Sequence, residues 1–378
     1  MSNTRVPLFD IFAGKRVFVT GHTGFKGSWL SLWLSQLGSH VAGYSLEPPT
    51  NPSNFIVSGI EDRLVKSTIG DLRDYQRLHD AIAEFEPDLI MHLAAQSVVK
   101  RGYQNPLETI STNVMGTANV LESIRMLGMP CAVFCVTSDK CYFNKEQPWG
   151  YRETDEMGDL DPYGGSKGAA ELIIRSFRES YFPIENIDEH RVWLASGRAG
   201  NVIGGGDWTD HALVVDCIKA FHELQAVSIR NPLAQRPWQH VLQCLSGYMT
   251  VSANLLARTN KQICSGWNFG PLPGNELPVS EVVRLLADYW GGGQWIVESK
   301  AGHKREAQIL RLAIDKAIWE LDWRPAWNVT ESLQKTVQWY QEYFDPTNHA
   351  MQDFSLRQIR EFELAMVSRN PESVGQLA

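Results

Sequence analysis

The chain has 378 residues, of which 43% are hydrophobic and 21% are charged. This is the composition of an ordinary globular protein, and the length suggests one large domain with a smaller one. The formal net charge of −8 argues against a nucleic-acid-binding protein, which is normally basic overall, but leaves room for a local basic pocket that binds a phosphorylated small molecule.

The first half of the chain alternates short apolar strands with helical patterns. Strands are predicted at residues 16–20, 40–44, 88–93 and 131–137, and helices at residues 24–37, 72–85, 109–127 and 162–181. The strands are continuous apolar runs, which is typical of strands that are covered on both faces. The repetition of strand, helix and strand predicts an α/β protein with a Rossmann-type, doubly wound parallel sheet.

A glycine-rich turn follows the first predicted strand and opens the first predicted helix. Its spacing is T-G-x-x-G-x-x-G, and the residues from Gly21 onward are Gly21, His22, Thr23, Gly24, Phe25, Lys26 and Gly27. Gly21 permits the tight turn, Gly24 lets a pyrophosphate approach the backbone, and Gly27 permits close helix packing. The phosphates would bind at the positive end of the helix dipole. The turn therefore predicts a dinucleotide site, with Thr23 and Phe25 beside the cofactor NAD.

The end of the second predicted strand departs from the usual NAD pattern. NAD-binding proteins usually carry an acid there, which bonds the adenine ribose. This chain has Ser45 at that point, with Glu47 two residues later, and no arginine that would bind a 2′-phosphate. The pattern favours NAD, bound more weakly or less selectively than usual.

Tyr163 and Lys167 form a Tyr-x-x-x-Lys pair at the start of the helix predicted at residues 162–181. Their spacing puts both side chains on one helix face. A free tyrosine titrates near pH ~10, but a nearby ammonium and a positive nicotinamide ring favour the phenolate, which can act as a base. The pair is common by chance, but together with the glycine turn it predicts a redox site.

Ser138, Asp139 and Lys140 directly follow the strand predicted at residues 131–137. A carboxylic acid and an amine beside a redox pair suggest an enzyme that also removes a group, such as water, from carbon. Lys140 could serve as a base only if its pKa were depressed. The alternative reading of Asp139 and Lys140 is a surface salt bridge, and that of Ser138 is a plain strand-end cap.

Residues 10–345 together resemble the nucleotide-sugar 4,6-dehydratases of the extended short-chain dehydrogenase/reductase family, in the branch that acts on CDP-glucose. The resemblance is carried by the glycine turn and by residues 47–50, 137–142, 162–167 and 198–208. An Asp-Lys pair, as at residues 139 and 140, in place of the Asp-Glu of other dehydratases, is itself typical of that branch.

The resemblance implies further contacts with the cofactor. Asp71 and Leu72 match the adenine-contacting pair of the family. Leu93, Ala94 and Ala95 match its strand-end segment, which lines the cofactor. Asn113 matches a helix-stabilising asparagine. In the same way, Ser138 is expected to hydrogen-bond the reacting hydroxyl, and Lys167 to hold the nicotinamide ribose.

The resemblance also implies the reaction. Tyr163 removes the C4 hydroxyl proton of CDP-D-glucose as the C4 hydride passes to NAD. Water is then lost across C5 and C6, with Asp139 as the acid and Lys140 as the proton-transfer partner. Return of the hydride to C6 gives CDP-4-keto-6-deoxy-D-glucose. The implied assembly is a homodimer joined through residues 109–127 and 162–181, and the implied destination is a dideoxysugar of a cell-surface polysaccharide such as the lipopolysaccharide O-antigen.

The nucleotide diphosphate must meet positive or hydrogen-bonding groups. By position, the candidates are Asn201, Arg230, Arg236 and His303. Arginine forks suit phosphate oxygens, although such arginines are often solvated surface charges. For His303, packing or capping of a local element is favoured over binding.

The rhythm of the chain changes after residue 198, where glycines and proline-containing turns interrupt it. We predict an NAD-binding domain at residues 1–195, to which residues 212–262 return. Residues 196–211 and 263–346 are predicted to form a smaller, mixed α/β substrate-binding lobe. Residues 347–378 form a C-terminal extension with a charged amphipathic helix at residues 355–367.

Three alternative functions share most of these motifs. A nucleotide-sugar 4-epimerase has the glycine turn, Ser138, Tyr163 and Lys167, but does not need an acid at Asp139; a dehydratase for another nucleotide sugar has them all. A catalytically silent, NAD-bound scaffold on the same fold is a different class of protein. Such proteins typically lose the tyrosine or the lysine of the catalytic pair, and both are present here.

Cysteine usage and hydropathy point to the cytoplasm. The six cysteines form no C-x-x-C pair, and no histidine pair has zinc-finger spacing. We therefore expect reduced, mostly buried thiols and no metal site. The first residues lack the continuous apolar core of a signal peptide. No stretch approaches about 18 uninterrupted apolar residues, so no membrane span is predicted.

Overall fold

A computed structural model describes residues 6–298, 310–347 and 350–369. The strands in these ranges are β1 (Arg16–Thr20), β2 (His40–Ser45), β3 (Lys66–Ile69), β4 (Leu89–His92), β5 (Cys131–Val136), β6 (Val192–Arg198), β7 (Val202–Ile203), β8 (Ala226–Ile229), β9 (Gln235–Arg236), β10 (Gln239–His240), β11 (Gly266–Asn268), β12 (Leu277–Pro278) and β13 (Gln294–Val297). The α-helices are α1 (Phe25–Gln36), α2 (Asn54–Val57), α3 (Tyr75–Phe85), α4 (Val99–Gln104), α5 (Pro106–Ile110), α6 (Gly116–Leu127), α7 (Pro162–Ser180), α8 (Ile187–His190), α9 (Leu213–His222), α10 (Val241–Ala257), α11 (Val279–Trp290), α12 (Asp315–Leu321), α13 (Val329–Phe344) and α14 (Met351–Arg369).

Seven strands form one parallel sheet in the order β11-β6-β5-β4-β1-β2-β3. The chain starts at β1, builds outward through β2 to β3, and then returns to the other side of β1 with β4. This reversal creates a switch point between β1 and β4, where ligands bind at the carboxyl ends of the strands. The predicted α/β, Rossmann-type fold is confirmed.

The four predicted strands are confirmed to within one residue at each end. The edge strand β3 was not predicted, because Lys66-Ser67-Thr68-Ile69 is mostly polar and lies at the exposed edge of the sheet. The helix predicted at residues 109–127 consists of three pieces, in which the π-helical turn Ser111–Met115 joins α5 to α6.

Helices cover both faces of the sheet. On one face, α3, α6 and α7 pack on an apolar cluster that includes Phe18, Tyr44 and Ile174. On the other face lie α1 and α10, and their cluster includes Trp29 and Trp33. Because α1 has neighbours on nearly all sides, eight of its twelve residues are buried.

The predicted C-terminal helix is confirmed as α14, and it packs directly on α1. The indole Nε1 of Trp33 donates to Glu363 Oε1 at 2.7 Å, and the rings of Trp33 and Phe362 meet edge to face with centroids 5.8 Å apart. The indole of Trp339 on α13 likewise donates to Ser355. This helix is therefore part of the core and not an appendage.

The remaining short strands form two-stranded pairs, β7 with β10, β8 with β13, and β9 with β12. Strand β11 lies in the segment that we assigned to the smaller lobe, yet it adds the seventh strand to the large sheet. The division into two domains stays a prediction. Among the described residues, no helix has the length and apolarity that crossing a bilayer requires. Five of the six cysteines are buried and Cys264 is half-buried, as the sequence analysis predicted.

Candidate active site

The glycine turn lies between β1 and α1 at the switch point. Gly21 has a φ of +78°, which favours glycine, and a Cβ there would lie 2.8 Å from the backbone of Ala94. A Cβ on Gly27 would lie 2.0 Å from the carbonyl oxygen of Gly21. Gly24 is the N-cap of α1 and has no side chain to fill the space before the helix. The turn thus leaves backbone N–H groups open to an anion, as a pyrophosphate requires.

The end of β4 is tied to the end of β1. The hydroxyl of Thr20 accepts from the N–H groups of Leu93 and Ala94, both at 3.2 Å, and bonds the imidazole of His92 at 2.7 Å. The segment that continues to Ala95 therefore lies beside the glycine turn. This is the position that the sequence analysis assigned to the wall of the cofactor site.

Ser45 ends β2 and is buried against the glycine turn. Its hydroxyl lies 2.5 Å from that of Thr23, and both hydroxyls are within hydrogen-bond distance of the carbonyl oxygen of Leu46. The end of β2 therefore offers small hydroxyls in place of the usual carboxylate. Phe25 lies near Gly204, where a Cβ would be 3.2 Å from Phe25 Cζ.

Asp71 and Leu72 follow β3 at the same edge of the sheet. Asp71 pairs with Arg73, with an Nη2 to Oδ2 distance of 2.5 Å, and this hydrogen bond holds the pKa of Asp71 below its ordinary value. Leu72 is buried and would touch a Cβ on Gly116 at 3.0 Å. The pairing of Asp71 with Arg73 was not predicted from the sequence.

Asn113 lies in the π-helical turn and joins three elements. Its Oδ1 accepts from the N–H of Gln96, and its Nδ2 donates to the carbonyl of Gln96 and to the hydroxyl of Ser166. Gln96 follows the segment after β4, and Ser166 precedes Lys167 on α7. Asn113 therefore connects the segment after β4 with α7, the helix that carries Tyr163 and Lys167.

Asp139 begins a short 3-10 turn, Asp139–Cys141, directly after β5. Its side chain is 4% exposed, so the alternative of a surface salt bridge is wrong. The N–H of Lys140 and the hydroxyl of Ser138 both donate to Oδ1, at 2.9 and 3.0 Å. The other oxygen faces the backbone of Gly200, where a Cβ would lie only 1.8 Å from Oδ2. The carboxylate therefore has one well-defined position.

Tyr163 and Lys167 lie on the first turns of α7, whose N-cap Asp161 accepts from the N–H groups of Tyr163 and Gly164. Burial raises the pKa of Tyr163; a hydrogen bond with Ser138 lowers it, and the charge of Asp139 raises it. Tyr163, Ser138 and Asp139 thus lie within electrostatic reach of one another. These three residues, which lie up to 25 positions apart in the sequence, therefore meet at one site.

Lys167 is buried on α7, about one helical turn after the tyrosine. Burial, followed by repulsion from Lys26, lowers the pKa of Lys167 to about 8. Its ammonium lies 3.5 Å from the carbonyl oxygen of Val136 at the end of β5. Lys26 belongs to the glycine turn, but the sequence analysis gave it no role. A cation on the first turn of the helix that faces the sheet edge is the signal that it overlooked.

Two glycines of α7 let the 3-10 turn lie directly on the helix. A Cβ on Gly164 would lie 2.9 Å from the carbonyl oxygen of Lys140, and one on Gly168 would lie 3.0 Å from that of Cys141. Lys140 itself is half-buried. The acid-amine pair and the tyrosine-lysine pair are therefore held on two backbones in close contact.

The predicted substrate-binding residues lie beyond β6. Asn201 follows β6, and its carbonyl oxygen accepts from the N–H of Gln239 at 3.2 Å, which brings it next to the segment that contains Arg236. Asn201 also lines a cavity of about 250 Å³. Arg230 is exposed at the end of β8, and Arg236 is half-buried in β9. His303 lies outside the described residues.

Comparison with known proteins agrees with this geometry. The family model described as GDP-mannose 4,6 dehydratase matches residues 18–204. The chain is 48% identical over 335 residues to the CDP-glucose 4,6-dehydratase of Salmonella typhimurium strain LT2, a match that covers 88% of this chain and 92% of that protein.

Solved structures share the fold at lower identity. The dTDP-glucose 4,6-dehydratase of Bacillus anthracis in complex with NAD superposes with a TM-score of 0.70 at 22% identity, covering 87% of this chain and 97% of that one. The UDP-glucose 4-epimerase of Thermotoga maritima, solved with UDP-glucose, gives a TM-score of 0.73 at 20% identity, covering 87% and 99%. Dehydratases and epimerases thus share this architecture, and fold alone does not separate them.

Proposed function

This chain belongs to the nucleotide-sugar 4,6-dehydratase family, and from that premise we propose that it converts CDP-D-glucose to CDP-4-keto-6-deoxy-D-glucose and water, with NAD as its cofactor. The extent of its identity with the Salmonella CDP-glucose 4,6-dehydratase supports this choice of nucleotide. The observation that carries the chemistry is the buried carboxylate of Asp139 beside Tyr163. A 4-epimerase would not need that acid.

The groups proposed to hold the cofactor surround the switch point. The glycine turn would bind the pyrophosphate at the start of α1, Asp71 and Leu72 would lie by the adenine, and the segment Leu93 to Ala95 would line the nicotinamide half. Ser45 and Thr23 would meet the adenine ribose with hydroxyls only. Because a carboxylate there adds a charge-assisted hydrogen bond, NAD is held less tightly than in proteins with an acid at this point.

Tyr163 is the proposed base of the oxidation step. It takes the proton of the C4 hydroxyl, which Ser138 orients by a hydrogen bond, and the ammonium of Lys167 favours the phenolate. When bound there, NAD would supply the acceptor for the C4 hydride and the donor of the hydride for C6, so the reaction would involve no net oxidation. Lys167 would also bond the nicotinamide ribose.

Asp139 and Lys140 are proposed to carry out the dehydration. The 4-keto group acidifies the C5 hydrogen. Lys140, which must be neutral for this role, is the proposed partner that takes this proton and returns it to C5 when the hydride is added at C6. The C5–C6 double bond forms as the C6 hydroxyl leaves with a proton from Asp139, so one water is released. The acid must be fixed at the leaving oxygen for this step to be efficient. The rigid seat of Asp139 against Gly200 meets that need.

The nucleotide is proposed to bind against the second half of the chain. Asn201, Arg230 and Arg236 would hold the diphosphate, with His303 as a further candidate. Arginine is suited to this because its planar fork matches phosphate oxygens. The predicted smaller lobe, residues 196–211 and 263–346, would contribute the rest of the nucleotide-sugar site.

A homodimer is the proposed assembly, joined through residues 109–127 and 162–181. Large apolar side chains within these ranges are exposed to solvent; they are Ile110, Met115, Met126, Leu172 and Tyr181, of which Met126 is 58% exposed. Apolar groups clustered in this way mark an interaction surface. We also propose that the enzyme works in the cytoplasm and supplies dideoxysugars for the lipopolysaccharide O-antigen.

The test is mass spectrometry of the products. CDP-glucose, UDP-glucose, dTDP-glucose and GDP-mannose are supplied separately, with and without added NAD. The proposal predicts loss of one water from CDP-glucose in preference to the others, and stimulation by added NAD. An unchanged mass with inversion at C4, seen by NMR, would identify an epimerase, and water loss from another sugar would change the nucleotide assignment.

A further inference from the structure

Glu171 is a buried acid on the catalytic helix for which the reaction has no use. It lies on α7 four residues after Lys167 and eight after Tyr163, so the three share one face of the helix. Its side chain is 4% exposed. A buried carboxylate is costly unless its lone pairs are satisfied. Its position is therefore informative about what it holds.

The carboxylate of Glu171 receives four hydrogen bonds. Oε1 accepts from the hydroxyl of Thr137 at 2.5 Å and from Nε of Arg198 at 2.9 Å. Oε2 accepts from the hydroxyl of Ser196 at 2.9 Å and from Nη2 of Arg198 at 2.8 Å. Burial raises the pKa of Glu171, but the charge of Arg198 and the hydrogen bonds outweigh it, so the pKa lies below its ordinary value. The group stays a carboxylate.

One of these bonds reaches the start of the segment that carries the acid-amine pair. Thr137 immediately precedes Ser138 and Asp139, and its own N–H is bound to the carbonyl of Gly197 on β6. The Thr137 hydroxyl therefore connects the amino end of this segment to α7 without an intermediary.

The other end of the segment is reached through Arg198. The Nη1 of Arg198 donates to the hydroxyl of Tyr142 at 2.6 Å, and this hydroxyl donates to Asn268 Oδ1 on β11 at 2.8 Å. Tyr142 directly follows the 3-10 turn and is fully buried. The Glu171–Arg198 ion pair thus hydrogen-bonds both ends of residues 137–142, through Thr137 at one end and Tyr142 at the other.

We propose that Glu171 is a positioning residue that sets the distance between the oxidation pair, Tyr163 and Lys167, and the dehydration pair, Asp139 and Lys140. The proposal rests on the proposed function for its chemical meaning. Both pairs must act on one sugar ring, at C4 and at C5 and C6. A displacement of about 1 Å between them would leave one pair competent and the other misaligned, at a cost of up to about 100-fold in rate.

Three single substitutions separate this role from general stability. Thr137→Val and Tyr142→Phe each remove one hydroxyl that connects an end of residues 137–142 to the Glu171–Arg198 pair. Ser196→Ala is the matched control, because it also removes a hydroxyl bond to Glu171, but from β6 and not from the segment. Thermal unfolding of each variant measures the shared cost of the lost hydrogen bond.

The first readout needs no substrate. Backbone hydrogen exchange of residues 138–142, followed by mass spectrometry, should be about 10-fold faster in Thr137→Val and Tyr142→Phe, as expected for the loss of one hydrogen bond. The control should exchange like the unaltered protein in this segment. Equal exchange in all four proteins would overturn the proposal, whatever the substrate of the enzyme.

The second readout is the balance between the two chemical steps. With CDP-glucose and NAD, the first two variants should accumulate bound reduced cofactor, seen by its near-ultraviolet absorbance, while water loss slows about 10-fold. In the control, Ser196→Ala, the ratio of the rates of cofactor reduction and water loss should be that of the unaltered enzyme. If Ser196→Ala shifts the ratio as far as the other two, Glu171 is a structural residue only. Turnover by the unaltered enzyme tests the proposed function separately.

Discussion

Replacement of Gly200 by alanine should impair the dehydration selectively. Gly200 has no positive φ, so the backbone accepts an alanine. The new Cβ would, however, lie 1.8 Å from Oδ2, 2.0 Å from Cγ and 2.5 Å from Oδ1 of Asp139. These distances are far below van der Waals contact, and the carboxylate must move. It would also loosen its bonds with Ser138 and with the N–H of Lys140.

The size of the movement sets the expected loss. A relaxed carbon–oxygen contact begins at about 3.4 Å, so Oδ2 must retreat by roughly 1.5 Å. A misplacement of about 1 Å in an active site can cost about 100-fold in rate, which corresponds to about 2.7 kcal/mol in the activation barrier. We therefore expect kcat for water loss to fall about 100-fold. The NAD dissociation constant should not change, because the glycine turn is untouched.

The assay is release of the dehydrated product under saturating CDP-glucose, with a single-turnover measurement of cofactor reduction beside it. Gly270→Ala is the control, since a Cβ at Gly270 meets its nearest atoms at 3.8 and 3.9 Å and should fit without displacement. A Gly200→Ala protein that folds normally and releases product at the unaltered rate would refute the role of Asp139 as a rigidly held acid.

Three further outcomes follow from the geometry. Tyr163→Phe should lower kcat by about 10²- to 10⁴-fold while NAD still binds, as measured by steady-state rates and calorimetry; normal turnover would disprove the assigned base. Because the pKa of Lys167 is about 8 and its usual value is 10.5, kcat/KM should fall as pH rises through about 8. Over the same pH interval the free energy of unfolding should rise, since Lys167 in the unfolded chain still binds the proton. Lys167→Arg is the control, because arginine stays protonated and neither quantity should then change with pH near 8. Glu363→Leu should lower the free energy of unfolding in urea by about 1–3 kcal/mol, because the Trp33 indole loses its acceptor, and Glu363→Gln should lose less; equal losses would contradict the role of this bond.

The features that could be predicted from the sequence are those with a local cause. The glycine turn could be predicted because its requirements are local to one strand-turn-helix unit. Position 21 requires a positive φ, and position 27 has no room for a Cβ. The strands β1, β4 and β5 could be predicted because burial on both faces makes most of their residues apolar. The pairing of Tyr163 with Lys167 could be predicted because helical periodicity puts both side chains on one face of the helix.

What the sequence analysis missed depends on contacts between distant segments. The Glu171 side chain looks like any other helical acid until β6 brings Arg198 to it across 27 positions. Arg73 was overlooked because its pairing with Asp71 follows from the turn after β3, and β3 is too polar to be predicted as a strand. The smaller-lobe assignment of residues 263–346 did not anticipate β11, because three residues show no clear period.

The packing of α14 on α1 constrains the order in which the protein can be made. Trp33 and Glu363 are 330 positions apart, and at about 5–20 residues per second a ribosome needs roughly 20–60 s to cover that distance. During this interval the buried face of α1, with Trp33 among its residues, lacks its final cover. Helix α1, one of the first elements to be synthesised, is therefore one of the last to reach its native surroundings. The nascent chain must be kept from aggregating until residues 351–369 arrive.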